Sequence, residues 1–186
     1  MLAPVSIAGV AKCVPERIVT NFDLESLVET SDEWIAKRTG IRTRRVVAEE
    51  TGVGMACRAA REALEMSGTA AKDVGIVVAC TITGEDLTPS MASSIQKTLG
   101  IPACAALDVS AGCTGFIYAL VTAASLMDTL QMDVAIVVAS EVMTKYLDWT
   151  DRSTCVLFGD GAGALVLRRS EVAHVLSPIL SATADV

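Results

Sequence analysis

Two stretches of this chain, "VGIVVAC" at residues 74–80 and "DVAIVVAS" at 133–140, carry apolar residues without alternation. A strand with one wet face alternates apolar and polar side chains. A strand covered on both faces does not, and such strands belong to sheets with helices packed above and below. Around these runs the chain switches repeatedly between short β-prone and helical segments. "VSIAGVA" (5–11) predicts a strand, "DLESLVE" (23–29) and "SDEWIAKR" (31–38) short helices, and "IRTRRVV" a β-prone run. Thr30, with Glu33 three residues on, has the spacing of a capping box for the second helix. Residues 51–67 predict a helix with Met55, Ala59, Ala63 and Met66 on one face, closed by Gly68. "PSMASSIQKTLG" (89–100) has proline at a helix start and glycine at its end. "ACAALDV" (103–109) predicts a strand, and a helix spans about 114–130. "TCVLFGDGAGALVLRR" suggests two strands around a glycine turn, and "HVLSPIL" a last strand. Alternating strand and helix units predict a mixed, mostly parallel α/β sheet of the βαβαβ type, covered by helices.

Only 4% of the 186 residues are aromatic against 52% hydrophobic, so the core has to be built from Ala, Val, Ile and Leu. The formal net charge of −7 argues against a nucleic-acid surface, which needs a basic stripe. The basic stretch "KRTGIRTRR" (37–45) stands out from this acidic background. It is either a solvated loop or a positive patch for a phosphorylated ligand or an acidic carrier protein. The longest apolar stretch, Gly115 to Met127, runs to about 13 residues, short of the roughly 18 a membrane span needs. The N-terminal segment has no basic residue before its apolar part, so no signal peptide is expected. Six cysteines without a CxxC pair, and a single histidine, His174, predict no metal site and free thiols in a cytoplasmic setting.

Two segments invite chemistry. The glycines of "FGDGAGALVL" (158–167) have the wrong surroundings for a dinucleotide loop, because strand-like "ALVLRR" follows where a helix is required. A tight hairpin explains them better, and a dinucleotide-binding domain fails on that order. "DVSAGCTGFIYAL" (108–120) sets Cys113 between a predicted strand and a predicted helix, a position where unsatisfied helix amides stabilise a thiolate. Ala111, Gly112 and Gly115 leave room beside it. The residues alone leave two readings open, a small buried cysteine or a nucleophile kept open to substrate.

"DVSAGCTGFIYAL" also resembles the nucleophile segment of β-ketoacyl-acyl-carrier-protein synthase III, a condensing enzyme of the thiolase fold. "TSDEWIAKRTGIRTRR" (30–45), "PSMASSIQKTLGI" and "TDRSTCVLFGDGAGA" (150–164) match the family in order. The resemblance implies a thiolase-like half: residues 1–172 as the N-terminal half and 173–186 as the opening strand of a second half. It implies Cys113 as the acyl-accepting nucleophile. For coenzyme A, it implies Trp34 and Arg152 on the two faces of the adenine, Arg38 and Thr39 at the entrance, and Phe158 lining the channel. Thr88 falls near a position that reaches a partner subunit's acyl pocket. The implied reaction is acyl transfer from acyl-CoA to cysteine, then decarboxylative condensation with malonyl-acyl-carrier protein, starting fatty-acid synthesis. No tightly bound cofactor is implied.

The histidine and asparagine that the family uses for decarboxylation have no match here, and His174 does not stand in for the former. Two readings follow: an enzyme half whose full activity needs its second half, or a non-catalytic thiolase-like module that pairs or binds coenzyme A. An apolar face normally covered by the other half would be exposed, so a homodimer or a complex with a chain carrying that half is expected.

Overall fold

A computed structural model of the chain describes residues 4–171. The main sheet contains β1 (Val5–Cys13), β4 (Ile76–Cys80), β5 (Ala105–Val109), β6 (Val134–Val142) and β7 (Asp160–Arg169), in the order β1-β7-β6-β4-β5. A separate two-stranded sheet pairs β2 (Ile18–Thr20) with β3 (Thr43–Arg45). β4 runs parallel to β5 and β6, while β7 is antiparallel to both β6 and β1. Four strands of the main sheet therefore point one way and only β7 opposes them. This is the mixed, mostly parallel sheet that the apolar runs predict.

The unalternating runs are explained by the two layers that cover them. All five residues of β4 are buried. Val77 and Ala79 enter a core with α3 (Gly52–Ser67) and α4 (Met91–Leu99), while Ile76, Val78 and Cys80 enter another with α5 (Gly115–Thr129). β6 divides in the same way, with Ile136 and Val138 on the first side and Ala135 and Val137 on the second. The scarcity of aromatics follows from how close these layers lie. α3 buries Ala56, Ala59, Ala60 and Ala63, and a Cβ on Gly9 of β1 would stand 2.4 Å from the Ala63 carbonyl oxygen. Any side chain there would push strand and helix apart.

A third cluster joins β2, β3, α1 (Asn21–Glu25), α2 (Asp32–Thr39) and α6 (Arg152–Cys155) through Val19, Leu24, Ile35, Val46, Cys155 and Val156. The domain boundary at 172/173, the strand "HVLSPIL" and His174 lie outside the described residues.

Several local expectations are corrected. The cap of α2 is Ser31, whose side chain accepts from the Trp34 amide, rather than Thr30. The capping box occurs instead at α1, between Thr20 and Asp23, and helix there ends at Glu25 rather than continuing to 29. At α4, Ser90 caps the helix by accepting from Ser93, so Pro89 stands outside it. Met66 is 66% exposed; the buried face of α3 turns through Ala60 and Leu64 instead. "TCVLFGDGAGALVLRR" is not a hairpin. Its first part closes α6, and Gly161 and Gly163 lie within β7, which is laddered to β6 from Asp160 through Arg168. Clustered glycines signal a turn only where no neighbouring strand claims the backbone on both sides.

α5 is apolar on more than one side. Ala119, Leu120, Ala123, Ala124 and Met127 are buried against the sheet, whereas Ile117 is 45% exposed.

Candidate active site

The carboxyl ends of β4, β5 and β6 lie together at one edge of the sheet, and β7, running the opposite way, begins there. Open α/β sheets bind ligands at that edge, because the loops that leave parallel strands gather there. Residues 81–90 follow β4, Cys113 follows β5, and residues 143–159 connect β6 to β7. Six sequence-predicted residues, Cys113, Thr88, Arg152, Phe158, Trp34 and Arg38, lie on these loops or on the elements packed against them.

Cys113 occupies a single 3-10 turn, Gly112–Thr114, that runs directly into α5. Gly112 has φ +54°, in the left-handed region, so the residue that turns the chain into the cysteine is one that accepts this backbone without strain. No side chain caps α5, in contrast to α2, α3 and α4 with Ser31, Thr51 and Ser90. The Thr114 hydroxyl donates back to the Ala111 carbonyl oxygen at 2.9 Å. Helix amides of a first turn favour a negative charge placed against them.

Among the six cysteines, Cys113 is the exposed one. Burial pushes the thiols of Cys13, Cys57, Cys104 and Cys155 up, and that of Cys80 up to about 12. Limited iodoacetamide on the folded chain is therefore expected to alkylate Cys113 first, with the other five reacting after denaturation. Peptide mass mapping checks this; early label on Cys104 or Cys57 would contradict it.

The surrounding loops are held by carboxylates that the motifs do not reveal. Asp108, in the strand before Cys113, accepts from the amides of Met91 and Ala92 at 2.7 and 2.8 Å, joining β5 to the start of α4. Glu141 accepts from the Ile82 amide at 2.9 Å and from the hydroxyls of Thr81 and Thr83. Glu85 accepts from the Gly52 amide at 2.6 Å. Thr88 is exposed on this tied loop beside fully exposed Leu87.

At the other end of the site the chain brings distant residues together. The guanidinium carbon of Arg38 stands 4.3 Å from the Trp34 ring centroid, and that of Arg152 stands 4.8 Å away. Both distances are within cation–π range, and here Arg152 stands directly on the Trp34 ring, not across an adenine as the resemblance implies. Arg152 also donates to the Glu29 carbonyl oxygen at 3.0 Å. Thr39 is turned to a structural task, since its hydroxyl donates to the Ile35 carbonyl and accepts from the Ile41 amide. Phe158 is 36% exposed just before β7. In strand order β7 and β5 are separated by β6 and β4, so Phe158 and Cys113 begin from strand ends roughly 14 Å apart. Of the basic stretch, Lys37, Arg38, Arg42 and Arg45 are exposed but Arg44 is buried, so the stretch is not a uniform patch.

Among the described residues no group of three or more His, Cys, Asp or Glu is placed to hold a metal, and no helix is long and apolar enough to cross a membrane.

Comparison with known proteins bears on the family and the fold. The 3-oxoacyl-[acyl-carrier-protein] synthase III family model matches residues 107–184, from β5 through Cys113 and beyond. The β-ketoacyl-[acyl-carrier-protein] synthase III of Thioalkalivibrio sulfidiphilus is 50% identical over 177 residues, 95% of this chain and 55% of the relative. Over nearly its whole length the chain is similar to members of this family. The crystal structure of 3-oxoacyl-[acyl-carrier-protein] synthase III from Aquifex aeolicus superposes with a TM-score of 0.88 at 44% identity, covering 90% of this chain and 55% of that one. The priming β-ketosynthase of the R1128 polyketide pathway superposes with a TM-score of 0.88 at 38% identity, covering 92% and 52%. The fold is thiolase-like, and the chain spans about half the length of the synthase III relatives it matches.

Proposed function

We propose that this chain is the acyl-accepting half of a synthase III-type condensing enzyme. The observation that carries the reading is Cys113, the exposed member of six cysteines, at the start of a helix that no side chain caps. In the first step the Cys113 thiolate attacks the thioester carbonyl of acyl-CoA. The carbonyl–sulfur bond to coenzyme A breaks, the acyl group stays on Cys113, and coenzyme A leaves as a thiolate that takes a proton from water. Trp34, Arg38 and Arg152 form the aromatic and cationic platform on which the adenine would stack. The pantetheine arm would then run past Phe158 and along the strand ends to Cys113.

Condensation with malonyl-acyl-carrier protein requires donors for the developing enolate charge, each worth several kcal/mol. The described residues offer no histidine for that task, so the second step needs groups supplied from elsewhere: a longer chain or a partner. The proposed source is such a partner, or a second copy of this chain. Analytical ultracentrifugation is expected to show a species larger than a monomer; a well-behaved monomer would contradict that part. Acyl-carrier protein is the expected acceptor-bearing partner.

Intact mass after incubation with acetyl-CoA tests the reading. One acetyl group per chain is expected, and a folded chain that takes none would leave the pairing-module alternative. Trp34→Ala is expected to raise the acetyl-CoA concentration for half-maximal acylation roughly 10- to 100-fold, as loss of a base-stacking ring does elsewhere. An unchanged concentration dependence would remove the adenine from this platform.

A further inference from the structure

We infer that Arg44 is a positioning residue for the nucleotide end of this site, tying together the two helices that supply the platform. The inference rests on the proposed coenzyme A reading.

Arg44 is 4% exposed in β3, yet none of its hydrogen-bond partners is a carboxylate. Its guanidinium donates to Asn21 Oδ1 at 2.7 Å and to the Val156 carbonyl oxygen at 2.6 Å. Asn21 is completely buried and donates in turn to Asp32 Oδ1 and to the Ile41 carbonyl, both at 2.8 Å. Asp32 is the first residue of α2, the helix of Trp34 and Arg38. Val156 directly follows α6, the helix of Arg152, and leads to Phe158. One guanidinium thus bridges from the start of α2, through Asn21, to the end of α6. Gly159 permits this approach, because a Cβ there would lie 2.9 Å from the Arg45 carbonyl oxygen and 3.3 Å from Arg44 Cβ.

Stability alone does not explain such a residue. Burying a guanidinium without a counter-charge is costly, and a nonpolar side chain would avoid the cost. Burial lowers its pKa, and its Nε has no partner. What arginine adds is a planar fork that fixes two acceptors in one geometry. Here one acceptor, Asn21, is itself bonded to the first residue of α2, and the other, the Val156 carbonyl, ends α6. A shift of α6 relative to α2 would move Arg152 against Trp34 and spoil the stack.

The test compares two acyl donors, acetyl-CoA and S-acetyl-N-acetylcysteamine, which carries no nucleotide. Acylation of Cys113 is followed by intact mass. For Arg44→Met the loss in acylation with acetyl-CoA should exceed the loss with the small thioester about fivefold or more. Arg44→Lys keeps the charge but cannot span both acceptors, and should fall between Arg44→Met and the parent. In a Trp34→Ala background, Arg44→Met should add little further loss with acetyl-CoA, since the platform is already gone. If Arg44→Met does not fold, Arg44→Lys takes its place in both comparisons. Equal losses with both donors, no loss, or a fully additive double variant would overturn the positioning role. A Trp34→Ala variant without effect would instead overturn the nucleotide reading beneath it.

Discussion

Cys113→Ala takes the acetyl adduct from one per chain to none while leaving the chain folded. The expectation has two halves. Cys113 is exposed in a short turn, so truncating it opens no cavity, and exposed substitutions of this kind stay within about 0.5 kcal/mol. The loss of the adduct is complete because no other thiol can substitute. The rest are held back by burial, Cys80 most of all, even though it lies next to Gly115 at the start of α5. Intact mass measures the adduct, and thermal unfolding of both proteins measures the fold. An adduct of equal size on Cys113→Ala would move the chemistry to another residue.

Ile136→Ala is expected to cost about 3–4 kcal/mol, the cost of a large core truncation that leaves a cavity. Ile136 is 0% exposed in β6, between β7 and β4, and its side chain lies in the α3 and α4 core. Strands on both sides and a helix layer above restrict collapse around the cavity. Urea unfolding should show a lower midpoint with an unchanged slope, because the surface exposed on unfolding is nearly the same. Ile117→Ala is the contrast. At 45% exposure on the open side of α5 it should cost well under about 1 kcal/mol in the isolated chain. A comparable cost at Ile117 would show that something already covers that face.

What could be read from the sequence was whatever depends on period and order. The unbroken apolar runs of β4 and β6 imply a sheet covered on both faces, and strand–cysteine–helix order sets Cys113 at the start of a helix; that this start lies at the sheet's carboxyl edge follows only from the strand pairing. Caps were displaced by one residue, Thr30 for Ser31, because neighbouring hydroxyls compete for the same amides and only backbone geometry decides between them. The glycines of β7 misled for a related reason. Their meaning depends on β1 and β6 pairing on either side, which is a long-range fact. Arg44 was invisible within "KRTGIRTRR", where four exposed charges and one buried one look alike. Trp34 and Arg152 are far apart in the chain, and their meeting was legible only through the family resemblance. The tasks of Asp108 and Glu141 were not legible, since each acts on groups brought by other elements, the first amides of α4 for Asp108 and the loop after β4 for Glu141.

In the proposed reaction Cys113 and the Trp34 platform belong to one continuous site. The direct measurement is the rate of Cys113 alkylation by iodoacetamide, read by peptide mass, with and without coenzyme A. Saturating coenzyme A should slow alkylation at least several-fold in the parent chain, and the protection should disappear in Trp34→Ala at the same concentration. Alkylation at an undiminished rate, with coenzyme A shown to be bound, would mean that the nucleotide platform and the cysteine are separate features of the fold.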